Sequence, residues 1–528
     1  MQTMNKRKSL YALIVLFLLA AACEQYELPA LEEPSAGDAD FTKTVVLSDS
    51  YGAGFMNGAL YVASQNNSFP ALLASSLAQT GGGTFNQPSL NAAAVNGCYN
   101  PSGGCTQGRL YLKLINGSPT PFPKAGNVET FAPYAGDKAA LNNFSVPGLT
   151  IQTAQTGALG GPAVPQNPVY NPYYARFATT PGTTKAIDQA AEALTNNGNF
   201  FVLSVGLNDA LLYAQGGGAN SALLTADATF GAAYNAALGK MLAAKESAKG
   251  AVVNIPEVVD LPYFNTVSYN PIPLTSTLAA QLTAGFASYN ALLDQLVAAK
   301  ALLQIPDAVA AELPGRKFSW AAGSNKIMVT DESLTDIGPW LDALVQLGQI
   351  NQPTRDFLVP FQRVRQTRNT DKICLSAGAV LGTPVVVGAQ TFVNGVSVPL
   401  GFFEAGNTGG SDKYYLNPAE QAQISASVTA FNTAIASAAN GASSRVALVD
   451  AYTAFKSLKA GTVSFKGSSL AASLAPPFGA FSVDGLHPNA RGSGYMANLI
   501  ITAINSKFSA TVPLVDINSL PSNELPVP

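Results

Sequence analysis

Histidine is nearly absent from this chain of 528 residues, which contains a single imidazole at His487. Charge is also scarce, because Asp, Glu, Lys and Arg together make up 12% of the residues and leave a net charge of −3. The sequence has no basic block that could neutralise a phosphate backbone, so we expect no nucleic acid partner. Beyond the N-terminal region, no apolar run approaches the length of a membrane span.

Cysteine is limited to four positions. Together with one histidine, these scattered thiols have no recognisable zinc spacing, so we expect no metal. Cys98 and Cys105 flank the turn-rich stretch YNPSGG, which predicts a small disulfide loop of the kind found in exported proteins. Cys374 has no obvious partner, since Cys23 is expected to be modified.

Residues 1–22 have the pattern of a secretory signal peptide, with a positively charged start and an apolar run at 10–22 that is too short to span a bilayer comfortably. Small residues followed by Cys23 resemble the signal of bacterial lipoproteins, in which this cysteine is lipidated and becomes the new N-terminus. One departure is Ala20, where leucine is usual. The alternative is ordinary cleavage near Ala22, which would leave Cys23 free.

The stretch at 23–41 is acidic, contains prolines and has no apolar periodicity. Such a composition buries too little surface to fold alone, so we predict a disordered tether. A lipid on Cys23 would attach the mature protein to the bacterial cell envelope. We therefore expect an exported protein, anchored at the outer membrane.

From residue 42 onwards, short β-branched runs alternate with helical stretches. The runs at 44–47 and 200–204, and those around Val252 and Val446, predict strands. Strands that alternate with helices indicate a parallel sheet covered on both faces. We therefore expect an α/β fold with three layers, α/β/α, around a central parallel sheet.

The predicted domain covers 42–510, and its part from about 262 to 400 exceeds what a minimal α/β core needs. We predict a large, mainly helical insertion there, with a hairpin that turns at Asn394-Gly395. One helix of the insertion has an apolar face, which either packs in a core within the insertion or forms a wall over the site. That face carries Leu278, Leu282, Phe286, Tyr289, Leu293 and Leu296. Trp340 could line a pocket or fill one. The tail at 511–528 has no periodicity.

Polar and glycine residues follow three of the predicted strands. Ligand sites of open α/β sheets lie outside the carboxyl ends of their strands, so these residues are candidates for a shared site. In chain order they are Ser48, Asp49 and Ser50, then Asn143 and Gly148, then Gly206, Asn208 and Asp209.

His487 lies on a loop that leads into a predicted helix, with Pro488 at the beginning of that helix. Asp484 precedes the histidine by three residues, so one turn of chain can bring the carboxylate beside the ring. The carboxylate would hold the Nδ1–H and leave Nε2 free to accept a proton.

Four motifs, SDSYG, NFSVPG, GLND and DGLHPN, together resemble the motif blocks of the SGNH (GDSL) hydrolases, in the same order. The family's fold is a flavodoxin-like α/β/α sandwich. The resemblance implies that Ser50 is a nucleophile, that His487 is its base and that Asp484 orients the histidine. Two departures are Ser48, where glycine is usual, and Tyr51, where leucine is usual.

The oxyanion hole implied by this resemblance consists of the Ser50 and Gly148 backbone N–H groups and the Asn208 side chain. The motif that contains Gly148 is the least specific, and Gly97 is an alternative. The family needs no metal or organic cofactor, so none is expected.

The function implied is an esterase or lipase-like acylhydrolase that acts on a small-molecule, lipid or glycan ester. A carbohydrate O-acetylesterase on the same site is one alternative. A catalytically silent surface lipoprotein that binds a glycan or a protein is another, although a binding protein needs no nucleophile with a base beside it.

Overall fold

The computed structural model describes residues 33–527 apart from 100, 102, 103, 116, 117, 197, 388 and 405–411. The predicted signal peptide, Cys23 and the first part of the predicted tether lie outside the described residues. Among the helices that are described, none combines the length and the apolar character needed to cross a bilayer.

Strands occur throughout the chain. They are β1 (Thr44–Ser48), β2 (Leu110–Ile115), β3 (Ser118–Pro123), β4 (Phe200–Ser204), β5 (Lys249–Val253), β6 (Ile272–Leu274), β7 (Gly323–Asn325), β8 (Met328–Thr330), β9 (Val364–Gln366), β10 (Lys372–Ile373), β11 (Pro384–Val387), β12 (Gln390–Val393), β13 (Tyr415–Leu416), β14 (Val446–Val449), β15 (Val463–Phe465) and β16 (Ser468–Leu470).

Helices separate these strands. They are α1 (Ser50–Ala53), α2 (Val62–Asn66), α3 (Phe69–Leu77), α4 (Pro172–Ala175), α5 (Ala186–Asn196), α6 (Asn208–Gln215), α7 (Asp227–Ala244), α8 (Ser276–Gly285), α9 (Ala287–Ala298), α10 (Asp307–Glu312), α11 (Gly338–Gln346), α12 (Gln352–Phe357), α13 (Pro418–Gly441), α14 (Ala451–Lys459) and α15 (Ala490–Phe508).

The central sheet consists of four parallel strands in the order β1, β4, β5, β14. Val46 lies opposite Val202, which in turn lies opposite Ala251. The first three of these strands are buried along almost their whole length. Burial of alternate residues on both sides means that both faces of the sheet are covered, as parallel sheets require.

Residues 142–146 extend the sheet beyond β1. Val46 and Asn143 form a parallel bridge, and the Val146 N–H donates to the Ser48 carbonyl over 3.0 Å. This segment therefore ends at the same sheet edge as β1, which brings the predicted Gly148 loop to the carboxyl ends of the strands.

Two groups of helices cover the sheet. Helices α5, α7 and α13 pack in a row, and Phe230 of α7 stacks on Phe431 of α13 with ring centroids 4.0 Å apart. Helix α15 packs against α3, β5 and β14, and its Phe508 meets Phe200 of β4 edge to face. The predicted mixed α/β fold with a central parallel sheet is confirmed, and the layering is compatible with a three-layer α/β/α architecture.

The insertion contains helices α8–α12 and several short antiparallel strand pairs. The predicted apolar helix is two helices, because the chain breaks at Phe286 between α8 and α9. Phe286, Tyr289, Leu293 and Leu296 are buried in a core made only of insertion residues, whereas Leu278 is 49% exposed. Trp340 packs against the same core. The face therefore serves mainly to pack the insertion.

The predicted hairpin is present, but its turn does not lie at Asn394-Gly395. Strands β11 and β12 pair with Val387 opposite Gln390, so the chain reverses before Asn394 is reached. Asn394 and Gly395 instead begin a second tight turn, in which the Gly395 N–H donates to the Val398 carbonyl and Gly395 has φ +75°. A glycine there satisfies a left-handed backbone position, which is why the Asn-Gly pair resembled a hairpin turn.

An apolar groove of about 720 Å³ lies between α8 and the hairpin, with Leu282 and Phe392 among its walls. Ser50, Asp484 and His487 do not line it. The hairpin thus borders a groove of the insertion itself.

Both ends of the described chain pack on the sheet domain. Phe41 is buried and the Asp38 N–H donates to the Phe508 carbonyl over 2.7 Å, so the fold extends into the region predicted to be a tether. The tail also packs on this domain. The Asn498 side chain forms hydrogen bonds with the N–H and the carbonyl of Val515, and the side chain of Ile517 is buried. The predicted boundaries at 42 and 510 are therefore too narrow.

Candidate active site

The sharp turn after β1 presents Ser50 at the carboxyl edge of the sheet. The Asp49 side chain caps α1 by accepting a hydrogen bond from the Tyr51 N–H at 3.0 Å. Ser50 is 2% exposed, and its Oγ forms no hydrogen bond to any described residue. The Ser50 hydroxyl is therefore not committed to any described group, a property that it shares with the buried hydroxyls of Ser145 and Tyr234.

Asp484 and His487 form the pair that their spacing predicts. Asp484 Oδ2 lies 3.0 Å from His487 Nδ1. Asp484 Oδ1 accepts hydrogen bonds from the backbone N–H groups of Leu486 and His487, both at 2.9 Å. These contacts fix the carboxylate on one side of the ring and leave Nε2 outside the pair.

A residue from the other end of the chain completes the environment of this carboxylate. The Gly58 N–H donates to Asp484 Oδ2 over 2.7 Å. Burial acts to raise the pKa of Asp484, but the charge of His487 and the hydrogen bonds to the carboxylate outweigh it and hold the pKa below its ordinary value. Asp484 is thus an anion suited to orient and stabilise an imidazolium.

The segment that carries Ser50 lies against the histidine loop. The Tyr51 hydroxyl donates to the Leu486 carbonyl over 2.8 Å, and the Phe55 ring lies 4.8 Å from the imidazole between centroids. The Phe55 N–H in turn donates to the Ser50 carbonyl. The structure therefore brings the two ends of the chain together around Ser50 and His487, although Ser50 Oγ and the ring do not share a hydrogen bond. Such bonds are often long without substrate.

Gly148 and Asn208 lie side by side. Asn208 Nδ2 donates to the carbonyl of Leu149, the residue after Gly148, over 3.1 Å, which leaves its second N–H free. Gly148 is exposed and has φ +78°. Within the described chain, the backbone N–H groups of Gly148 and Ser50 donate to no acceptor. Three donors of the type that an oxyanion hole needs are therefore available.

The alternative glycine does not have this property. Gly97 is buried, and its N–H already donates to the Ala94 carbonyl over 3.0 Å. An added Cβ at Gly97 would lie 2.3 Å from the Leu60 carbonyl oxygen, so the residue is a glycine for packing reasons. The geometry favours Gly148 over Gly97.

Two further carboxyl groups lie buried at this sheet edge. Burial raises the pKa of Asp49 to about 7, although the Tyr51 N–H and the charge of His487 act in the opposite direction. Burial likewise raises the pKa of Asp209 to about 7, against hydrogen bonds from the Ile151 N–H and the Thr225 hydroxyl. Perturbed carboxyl groups of this kind concentrate at functional sites.

The disulfide loop lies beside the site. Cys98 and Cys105 are bonded, with Cα atoms 5.0 Å apart. The ring of Tyr99 within this loop packs on Gly58, where an added Cβ would lie 2.7 Å from it. The predicted disulfide is present and covers the backbone that binds Asp484. Cys374 is a buried free thiol whose pKa burial raises above its ordinary value.

Several residues around the site had no signal in the sequence. Gly58 contacts Asp484 across most of the chain, and its Met-Asn-Gly context is an ordinary turn. The aromatic ring of Phe55 packs against Tyr173, which packs against Phe131 with centroids 4.8 Å apart. In the sequence, Tyr51 is only a departure from the usual leucine, yet its hydroxyl donates to the Leu486 carbonyl in the histidine loop.

Comparisons with known proteins found no matching family model, no similar curated protein and no similar solved structure.

Proposed function

We propose that the protein is a serine ester hydrolase of the SGNH type, with Ser50 as nucleophile, His487 as base and Asp484 as the residue that orients the histidine. The observation that carries this proposal is the buried Asp484–His487 pair, packed against a segment whose serine hydroxyl is buried without a partner. A serine hydroxyl with no other partner, on a segment that packs against an oriented imidazole, is compatible with nucleophilic catalysis.

The chemistry proceeds in two steps. Ser50 Oγ attacks the ester carbonyl carbon while His487 Nε2 accepts its proton, and the alcohol then leaves with that proton. A water molecule next attacks the acyl-serine, His487 accepts the water proton, and the acid is released as the serine regains its hydrogen. General base catalysis of this kind contributes roughly 10²–10⁴ in rate.

The oxyanion of each tetrahedral intermediate would be stabilised by the Ser50 and Gly148 N–H groups and by Asn208 Nδ2. All three have a hydrogen without an acceptor among the described residues. Donors fixed in advance by the fold stabilise the developing charge without reorganisation.

The aromatic rings near His487 favour an uncharged acyl ester as the substrate. Phe55 lies against the imidazole, and the rings of buried Tyr173 and of Phe131 pack in turn behind it, so the surroundings of the ring on this side are apolar. The second candidate is deacetylation of a glycan, for which the exposed position of Gly148 leaves room. Comparing release of acetate and octanoate from matched esters separates the two: faster octanoate release supports the acyl ester, and acetate preference supports the glycan.

We also propose that the mature chain is exported and held at the outer membrane through a lipid on Cys23. Support comes from the signal-like sequence before Cys23 and from the disulfide at Cys98 and Cys105, which forms in oxidising compartments. Metabolic labelling with a fatty-acid analogue, lost in Cys23→Ala, tests this assignment.

Labelling with a fluorophosphonate probe tests the serine. Wild-type protein should be labelled covalently, and Ser50→Ala should not. Ser145→Ala is the matched control. Ser145 is also buried and its hydroxyl also has no hydrogen-bond partner among the described residues, but the proposed mechanism gives it no role. Labelling that persists in Ser50→Ala, or is absent from the folded wild type, would contradict the proposal and favour a binding lipoprotein.

A further inference from the structure

Three carboxyl groups from distant parts of the chain converge on the side of the molecule where the insertion meets α13. They belong to Glu332, just after β8 in the insertion, to Asp412, and to Glu420 in the first turn of α13. A carboxylate oxygen of each lies within 4.8 Å of those of the other two. Like charges this close repel strongly unless something positive lies between them.

The described part of the chain supplies no cation to this cluster. The adjacent Lys413 forms an ion pair with Glu404 instead, and Arg365 binds Asp331 and Asp371. The polar contacts that do exist are amides: Asn417 Nδ2 donates to Glu332 Oε1 over 2.9 Å, and the Asn417 N–H donates to Glu420 Oε2 over 2.7 Å. These position the carboxylates without neutralising them.

One oxygen of Glu420 has no ordinary donor among the described residues. The residue is 6% exposed, and no described amide, hydroxyl or cationic group donates to its Oε1, which faces the carboxyl group of Glu332. Gly218 approaches this oxygen so closely that an added Cβ would lie 2.4 Å from it. Burial, together with the neighbouring Glu332, raises the pKa of both Glu420 and Asp412. A buried carboxylate oxygen without a donor, facing two other acids, is the environment of a cation ligand.

We propose that Glu332, Asp412 and Glu420 bind a calcium ion. The available ligands are all oxygen atoms, which suit hard cations and exclude the thiolate or imidazole chemistry of zinc. Calcium accepts several carboxylates in a flexible geometry, whereas magnesium needs a near-ideal octahedron and is usually bound through only one or two carboxylates and several waters, so three convergent carboxylates favour calcium. The expectation of no metal came from the cysteine and histidine spacing and from the family's need for none, and neither considers a site made of carboxylates alone.

Such an ion would join the insertion to the sheet domain, because Glu332 belongs to the first and Glu420 to the second. The chain has two tryptophans. Both of them, Trp320 and Trp340, lie in or against the insertion core, so their fluorescence reports on the insertion. Calcium should therefore raise the temperature at which the tryptophan signal unfolds.

The experiment uses the full chain after treatment with EGTA. Calorimetric titration with CaCl₂ should show saturable binding of one ion per chain, with weaker binding of MgCl₂, and the tryptophan unfolding midpoint should rise with CaCl₂ at constant ionic strength. Glu332→Gln is the principal variant, because this side chain is exposed and the change should not prevent folding. We expect it to weaken calcium binding at least about tenfold.

Glu420→Gln should weaken binding further, and Glu246→Gln, an exposed carboxylate just after α7, should leave it unchanged. Absence of saturable binding in the wild type, or equal affinity in wild type and Glu332→Gln, would overturn the proposal and indicate that the three acids share protons instead. Equal affinity for magnesium would overturn the choice of calcium.

Discussion

The core of the sheet domain joins residues from the two ends of the chain, from Ala39 to Val515, whereas the core of the insertion uses only residues between Ala279 and Val364. Contacts close in sequence form with little loss of loop entropy, and contacts across hundreds of residues need the complete fold. The insertion is therefore built as a local unit, while the candidate site exists only when the whole sheet domain has assembled.

The two regions also differ in how they treat buried charge. In the insertion, Arg365 is buried between Asp331 and Asp371, and Arg316 is buried beside Glu312. At the sheet edge, Asp49 is buried and forms no ion pair with any described cationic side chain. In the insertion these buried charges are paired, whereas at the sheet edge burial raises the pKa values of Asp49 and Asp209, as it often does at functional sites.

The largest expected effect comes from removing the proposed base, a change that should disable the site and leave both cores folded. His487→Ala should lower ester turnover by about 10⁴-fold or more, because this chain has no other imidazole to serve as the base. Steady-state hydrolysis of a model ester measures the loss, and the thermal midpoint checks the fold.

Trp320→Phe is the control from the insertion, since it changes a buried aromatic ring that is remote from the site's hydrogen bonds. It should retain turnover. Wild-type activity in His487→Ala would show that the imidazole is not the base.

The next effect tests whether the two cores are separate. Leu293→Ala in the insertion and Ile500→Ala in α15 each remove a fully buried side chain, and each should lower the free energy of unfolding by about 2–5 kcal/mol. Leu293→Ala should shift the tryptophan fluorescence transition to lower denaturant, while Ile500→Ala should shift the loss of activity. If both variants moved both signals equally, the two regions would unfold as one unit.

The smallest effect concerns pH. The pKa of buried Asp49 is raised to about 7, so the folded state binds a proton more tightly than the unfolded chain does. The stability from this group is complete below the unfolded pKa and is lost as pH rises towards about 7, a change of at most about 4 kcal/mol. Asp49→Asn should remove this loss.

Urea unfolding between about pH 4 and about pH 8 measures the difference between wild type and Asp49→Asn. The exposed Asp227→Asn serves as control and should follow the wild-type profile. Profiles of wild type and Asp49→Asn that run parallel over this range would show that Asp49 does not titrate as its burial implies.

Much of the sheet domain was predictable because its signals are local. The runs at 44–47 and 200–204 are rich in β-branched or aromatic residues, and they match β1 and β4 within one residue. Asn417 caps the start of helix α13, and the Glu420 carboxylate accepts a hydrogen bond from the Asn417 N–H, a pattern visible in the letters NPAE. The insertion helix was less predictable, because its continuous apolar period hides the break at Phe286.

The sequence by itself determined the pairing of Asp484 with His487, because an offset of three residues in one loop fixes which side of the ring the carboxylate reaches. It also determined the four strands of the central sheet and the order of the motifs. Only the tertiary structure decided that Gly58 binds that carboxylate, that the Gly97 amide is already used, and that Glu332 meets Glu420. Local hydrogen bonds follow from spacing, whereas these contacts depend on where the parallel sheet places segments hundreds of residues apart.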